Sequence, residues 1–292
     1  MLEPIVRVEN LGKRFGNKVA LSEVTANIAP GDVIGLLGRN GAGKTTLLEV
    51  LLGFSPATAG RIEVFGHESY RLPGAAKARL GFVPQQDELV NQLTVADQFR
   101  LVRSFYPNWD DALIERLIHS WELDPKQRIG TLSVGQRQKL SILVALGQRP
   151  DLLVLDEPVA SLDPLARRHF LEQIVEVAAG GDRAVILSSH IVSDIERLAS
   201  KIWILKDRRL YWQGEFDRLK DSIIRLHLRA PAPLPSALAI PHALRIDVQE
   251  AYATAIIAEW TDALEAEIAA GTGAKLEVES LTLEDIFLEL HR

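Results

Sequence analysis

One stretch constrains this chain more than any other. Gly38-Arg39-Asn40-Gly41-Ala42-Gly43-Lys44-Thr45-Thr46 follows the apolar run Val33-Ile34-Gly35-Leu36-Leu37 and opens a helix. The spacing fits G-x-x-x-x-G-K-[ST] in the context that gives the pattern meaning, a buried strand before it and a helix after. Glycines let the backbone fold back so that successive N–H groups converge on phosphate oxygens. The helix start adds its unpaired N–H groups and the positive end of its dipole. Lys44 supplies a point charge near the β- and γ-phosphates, and the Thr45 hydroxyl is suited to sit on Mg²⁺.

The chain has 292 residues, long enough for a large core domain and a smaller one. A net charge of −6 argues against nucleic acid as the main partner. The absence of cysteine excludes disulfides, thiolate metal sites and cysteine nucleophiles. Glu3 and Arg7 stand where a signal peptide would be basic and then apolar, so none is expected. No stretch approaches 18 uncharged apolar residues, and the longest uncharged one, from Ala230 to Leu244, holds four prolines. If the protein acts at a membrane, another chain is expected to supply the spans.

Ahead of the glycine-rich loop, Pro4 to Leu11 alternates like a half-buried strand. Lys13 to Lys18 reads as a turn, and further strands are expected at Val19 to Leu21 and near Val24 to Ile28. An antiparallel β flap should therefore precede a parallel core. Phe15 at the turn suits either a nucleotide base or its own hairpin. After the loop, a helix is expected from Thr46 to Leu52, ended by Gly53. Strands follow at Gly60 to Gly66 and Arg79 to Pro84, the latter running into Gln85.

From Leu93 to about Arg149 the period becomes helical. Thr94 to Asp97 reads as a capping box, with Val95, Phe99, Val102 and Tyr106 on one stripe. Leu113, Leu117 and Trp121 mark the buried face of a helix from Asp110 to Trp121. In Leu132-Ser133-Val134-Gly135-Gln136, Ser133 can cap a helix running from Gly135 to Gly147, with Gln136 completing a capping box. The same helix start is also an anion site, and local sequence does not separate the two readings. Leu152 to Leu155 is a buried strand whose carboxyl end carries Asp156 and Glu157. Ligands gather at that end of an open α/β sheet. Asp156 is suited to hold Mg²⁺, and Glu157 to orient and deprotonate an attacking water. Arg183 to Ser189 is another core strand, with His190 just past it. Lys201 to Leu205 and Arg209 to Trp212 form a closing hairpin around Asp207-Arg208.

Together these segments resemble one nucleotide-binding domain of the ABC ATPases, over about residues 3 to 220. The motifs stand in the family's order: Gly38 to Thr45 (Walker A), Gln85 (Q-loop), Leu132 to Gln136 (signature), Leu152 to Glu157 (Walker B), Ser161-Leu162-Asp163 (D-loop) and His190 (switch histidine). The resemblance implies a P-loop NTPase, RecA-like, with a helical subdomain at about 87–150. It further implies that Phe15 stacks on adenine, where Tyr is more usual. Gly38, Asn40, Gly41, Ala42, Gly43, Lys44, Thr45 and Thr46 would hold ATP. Thr45, Gln85 and Asp156 would serve Mg²⁺. Glu157 would be the general base, with Lys44, Gln85 and His190 completing the catalytic set. Ser133, Gly135 and Gln136 would close over ATP bound to a second protomer, with Asp163 at that dimer interface. Val134 departs from the family, which usually has Gly there.

From residue 221 onward, strands expected at Ile223 to Leu228, Leu244 to Val248, Thr254 to Ala258 and Lys275 to Val278 mix with two helices. These span Asp262 to Ala270, capped by Gly271, and Leu283 to Leu290. They imply a small α+β domain over 221–292, whose ending resembles that of ATPases serving drug, antibiotic or lipid exporters. The whole reads as the ATPase subunit of an exporter. It would form a homodimer, or pair with a similar subunit, on the cytoplasmic face of the inner membrane, bound to a separate transmembrane permease and to no nucleic acid. The alternative is a soluble ABC ATPase that remodels nucleic acid or ribosomes.

Overall fold

The computed structural model describes residues 3–159, 162–189 and 191–291. They divide into two compact units, Met1–Gln213 and Gly214–Arg292.

The first unit opens with the strands β1 (Val6–Phe15) and β2 (Lys18–Ile28), turning at Gly16. One continuous β2 replaces the two strands expected. The break in its pattern is a bulge: pairing passes from Lys13↔Leu21 to Leu11↔Val24, and Glu23 takes a left-handed φ of 53°. Next come β3 (Val33–Gly38), α1 (Lys44–Leu51), β4 (Ala59–Val64) and β5 (His67–Glu68). The order β2-β1-β4-β5 makes the antiparallel flap.

A short α2 (Gly74–Lys77) leads into β6 (Leu80–Val83). The helical segment holds α3 (Val95–Arg103), α4 (Asp111–Ser120) and α5 (Val134–Gly147). Thr94 and Asp97 close the expected capping box on α3. That helix stops at Arg103, so Tyr106 falls outside its stripe. On α4 the buried face is Ile114 and Leu117, continued by Trp121, rather than Leu113. The chain returns through β7 (Leu152–Asp156), α6 (Pro164–Ala178), β8 (Ala184–Ser188), α7 (Val192–Leu198), β9 (Lys201–Lys206) and β10 (Arg209–Glu215).

The core sheet runs β10-β9-β3-β8-β7-β6, parallel from β9 to β6. Every residue of β7 and β8 is buried, as are the first five of β3. Strands apolar on both faces suit a parallel sheet covered on both sides.

The second unit contains α8 (Phe216–Ser222), β11 (Ile224–Arg229), β12 (Ala243–Gln249), β13 (Tyr252–Ile257), α9 (Asp262–Thr272), β14 (Lys275–Ser280) and α10 (Leu283–Leu290). Its sheet is antiparallel, in the order β12-β13-β11-β14. Leu226, Leu228, Ala253 and Ala255 pack with Leu264 and Ile268 of α9. Helix α9 is longer than its sequence suggested. Gly271 lies within it, and Gly273, with φ 60°, supplies the left-handed cap.

Candidate active site

The glycine-rich loop leaves β3 at Gly38 and enters α1 at Lys44. Gly43 is the N-cap with φ 110°, a conformation that costs other L-residues dearly. It also touches β2: a Cβ there would lie 2.7 Å from the Ala20 carbonyl oxygen. No side chain caps α1. Its first-turn N–H groups, which have no partner within the helix, are therefore left to a ligand. Lys44, 8% exposed, lies back across the loop and donates from Nζ to the Gly38 carbonyl at 2.7 Å. Ala42 packs against the core below.

Strand register brings the acids to this loop. Asp156 at the end of β7 stands beside Ser188 of β8, and Ser188 beside Leu36 of β3, two residues before Gly38. Asp156 is 3% exposed, and the Ser188 hydroxyl donates to its Oδ1 at 2.5 Å. The same hydroxyl accepts the Glu157 N–H at 3.0 Å. Glu157 takes φ 52°, a left-handed conformation that redirects the chain just as it leaves the sheet. Strain of this kind clusters at functional sites.

A cavity of about 430 Å³ results, lined by Asn40, Gly41, Gly43, Lys44, Thr45 and Thr46 on one side and by Asp156, Glu157 and the exposed Gln85 on another. Phe15, half exposed, lines it from the flap, with Lys13 Nζ 4.8 Å from its ring centre. Three further cations line it that no sequence pattern singled out: Lys18, Arg39 and Arg208. Arg39 fills a variable position of the loop. Lys18 begins β2 and Arg208 sits in the β9–β10 turn, positions where a cation carries no signal of its own. With Lys44, four cations face two carboxylates, a balance suited to a polyphosphate.

Ser133, Gly135, Gln136 and Asp163 are not brought into this cavity. Ser133 caps α5: its Oγ accepts the Gln136 N–H at 3.2 Å while Gln136 Oε1 accepts the Ser133 N–H at 2.9 Å. Val134 beside it is 68% exposed. One turn on, the Arg137 guanidinium forms a bidentate pair with Asp87, two residues after Gln85, and donates to Asn91 Oδ1 at 2.6 Å. The Arg137 contact holds the Asp87 carboxyl below its ordinary pKa. Asp163 caps α6 by accepting the Ala166 N–H at 2.9 Å, which lowers its pKa too. His190 and Ser161 lie outside the described residues.

The sequence profile of the family described as ABC transporter matches residues 21–160. The bacitracin transport ATP-binding protein BcrA of Bacillus licheniformis is 31% identical over 223 residues, 75% of this chain and 72% of that one. A Nod factor export ATP-binding protein I of Burkholderia lata is 30% identical over 291 residues, covering 96% of this chain and 95% of its own. A solved ATP-binding subunit of an ABC transporter superposes with a TM-score of 0.69 at 28% identity, over 74% of this chain and 92% of that one. The likeness thus runs along nearly the whole length of such relatives, and the chain belongs to the ATP-binding, ATP-hydrolysing subunits of the ABC transporters.

Proposed function

We propose that the chain powers an exporter as a peripheral subunit on the cytoplasmic face of the membrane, joined to a separate transmembrane permease. Two copies, or this chain and a similar one, bind two ATP molecules between them. The observation that carries this reading is the cavity in which the open start of α1 faces Asp156 and Glu157. Among the described residues no helix is long and apolar enough to cross a membrane. The names of the bacitracin and Nod factor relatives support transport, and the latter export.

Within that site, Phe15 takes the adenine, and the loop from Gly38 to Thr46 takes the phosphates, with Lys44 at their β–γ end. The donors around Asp156 are hard oxygens: its own carboxylate, the Thr45 hydroxyl and the Gln85 amide. They fit Mg²⁺, an ion that takes one or two carboxylates plus substrate phosphates rather than an all-protein cage. Bound there, the ion would neutralise charge on the phosphates. Ser188 occupies one oxygen of Asp156 and so leaves the other for the metal. Glu157 takes the proton from the attacking water, which Gln85 helps to place. His190 contacts the γ-phosphate.

Ser133, Gly135, Gln136 and Asp163 act across the dimer, which agrees with their lying outside the cavity of their own chain. Residues 1–220 carry this chemistry. Residues 221–292 form a dimerisation or regulatory piece.

The test is to purify the chain from solubilised membranes and assay vanadate-sensitive ATPase activity. A membrane protein in the complex, with turnover above that of the isolated chain, is the expected result. A chain that comes down alone or with nucleic acid would remove the permease and leave only the ATPase.

A further inference from the structure

The β9–β10 turn places two successive non-glycine residues in left-handed backbone, Asp207 at φ 50° and Arg208 at φ 68°. Such turns favour Asn and Gly, and a long side chain held in this conformation at a site points to a use. The turn is tied down on both sides. The Arg208 carbonyl accepts the Ser22 N–H at 2.8 Å, at the β2 bulge, and Arg209 pairs with Glu23 at 3.0 Å.

Both neighbouring segments touch the glycine-rich loop. A Cβ on Gly38 would lie 2.7 Å from the Leu205 carbonyl oxygen, three residues before Arg208. Ala20 and Leu21, just before Ser22, lie against Gly43. The Arg208 side chain is exposed and lines the nucleotide cavity, and among the described residues no ion pair engages its guanidinium.

We propose that Arg208 is a nucleotide-contact residue whose guanidinium binds the α- and β-phosphate portion common to ATP and ADP. The proposal rests on the assignment of this cavity to ATP. Phe15 supplies the base end, at the hairpin turn beside Lys18. Strand β2 runs from there past Ala20, beside Gly43, to Ser22, so Arg208 is anchored on the loop side of the cavity. Lys44 already serves the γ end. A planar, permanently charged fork matches phosphate oxygens and explains why arginine occupies a backbone conformation that glycine would adopt without strain.

Arg208→Gly separates the two roles that the residue could have, because it removes the side chain and relieves the backbone together. Calorimetric titration of the full chain with ADP, and with ATP in EDTA to prevent turnover, gives the affinities. The expected result is a Kd raised about three- to tenfold for both nucleotides, in line with one charge-assisted contact. The melting temperature should stay unchanged or rise, and Arg208→Lys should recover part of the affinity. Wild-type Kd values for both nucleotides, or a loss confined to ATP, would overturn the proposal. Wild-type binding by Lys44→Ala, run in parallel, would instead bring down the assignment of the cavity, and the role of Arg208 with it.

Discussion

Two helix starts in this protein both read in the sequence as anion sites, and they are built in opposite ways. Helix α1 begins at Gly43 with no side-chain cap, its loop shaped by a left-handed glycine. Helix α5 begins at Ser133 with a reciprocal capping box, so that Ser133 and Gln136 satisfy each other's backbone N–H groups. Both ends carry the positive pole of a helix dipole. The first gives up local stabilisation and is left with N–H groups for phosphate. The second is self-sufficient in its own chain and stands away from the cavity, with Val134 exposed beside it. An open end leaves its N–H groups to a ligand that the same chain holds. The closed, exposed end is where the proposed dimer would bring the partner's nucleotide.

The difference can be broken at its strongest point by Gly43→Ala. The added methyl would meet the Ala20 carbonyl oxygen at 2.7 Å from a φ of 110°, so the loop must shift. ATP affinity should fall on the order of 100-fold, while the fold, which bears a strain of about 1–2 kcal/mol, survives. Titration with ATP alongside a thermal melt would check both halves.

At the other helix start, Ser133→Ala and Ser133→Asn sharpen the contrast. Alanine should cost about 1 kcal/mol by removing the cap, whereas asparagine caps as well as serine does. If Ser133 also meets nucleotide across the dimer, Ser133→Asn should keep the melting temperature yet lose about tenfold in ATPase rate, as expected for one lost hydrogen bond to a charged group. Full activity in Ser133→Asn would reduce the residue to a cap.

The smallest effect concerns the tie behind α5. Arg137→Met keeps the stem and removes the pair with Asp87, at about 1–2 kcal/mol for a partly buried, charge-assisted contact. Asp87 has a lowered pKa in the folded state, so its contribution is fully present above the unfolded value of 3.8 and is lost as pH falls through the lower folded one. The stability gap between wild type and Arg137→Met should therefore be flat from about pH 6 to 8 and close below about pH 4. Chemical denaturation across that range would show it.

What the sequence made legible follows from how local each signal is. The glycine-rich loop, the buried strand with acids at its end and the two capping boxes depend on residues a few positions apart, and each stands where it was expected. Gly271 and Gly273 could both end α9, and only tertiary packing of the last turn decides between them. The bulge at Glu23 reads in sequence as a gap between two strands. Leu113 and Ile114 are adjacent on α4, and the burial of Ile114 depends on what the helix packs against. Lys18, Arg39 and Arg208 gather at the cavity through turns and strand register, so no window of sequence could have joined them.

The most direct test of the central claim, that Glu157 drives hydrolysis in an ATP-bridged dimer, is sedimentation velocity of Glu157→Gln with and without ATP, beside its ATPase rate. The expected result is a monomer that becomes a stable dimer only with ATP, with turnover lost by on the order of 100-fold or more, the scale of removing a general base. Wild-type turnover in Glu157→Gln, or a variant that stays monomeric at saturating ATP, would contradict it.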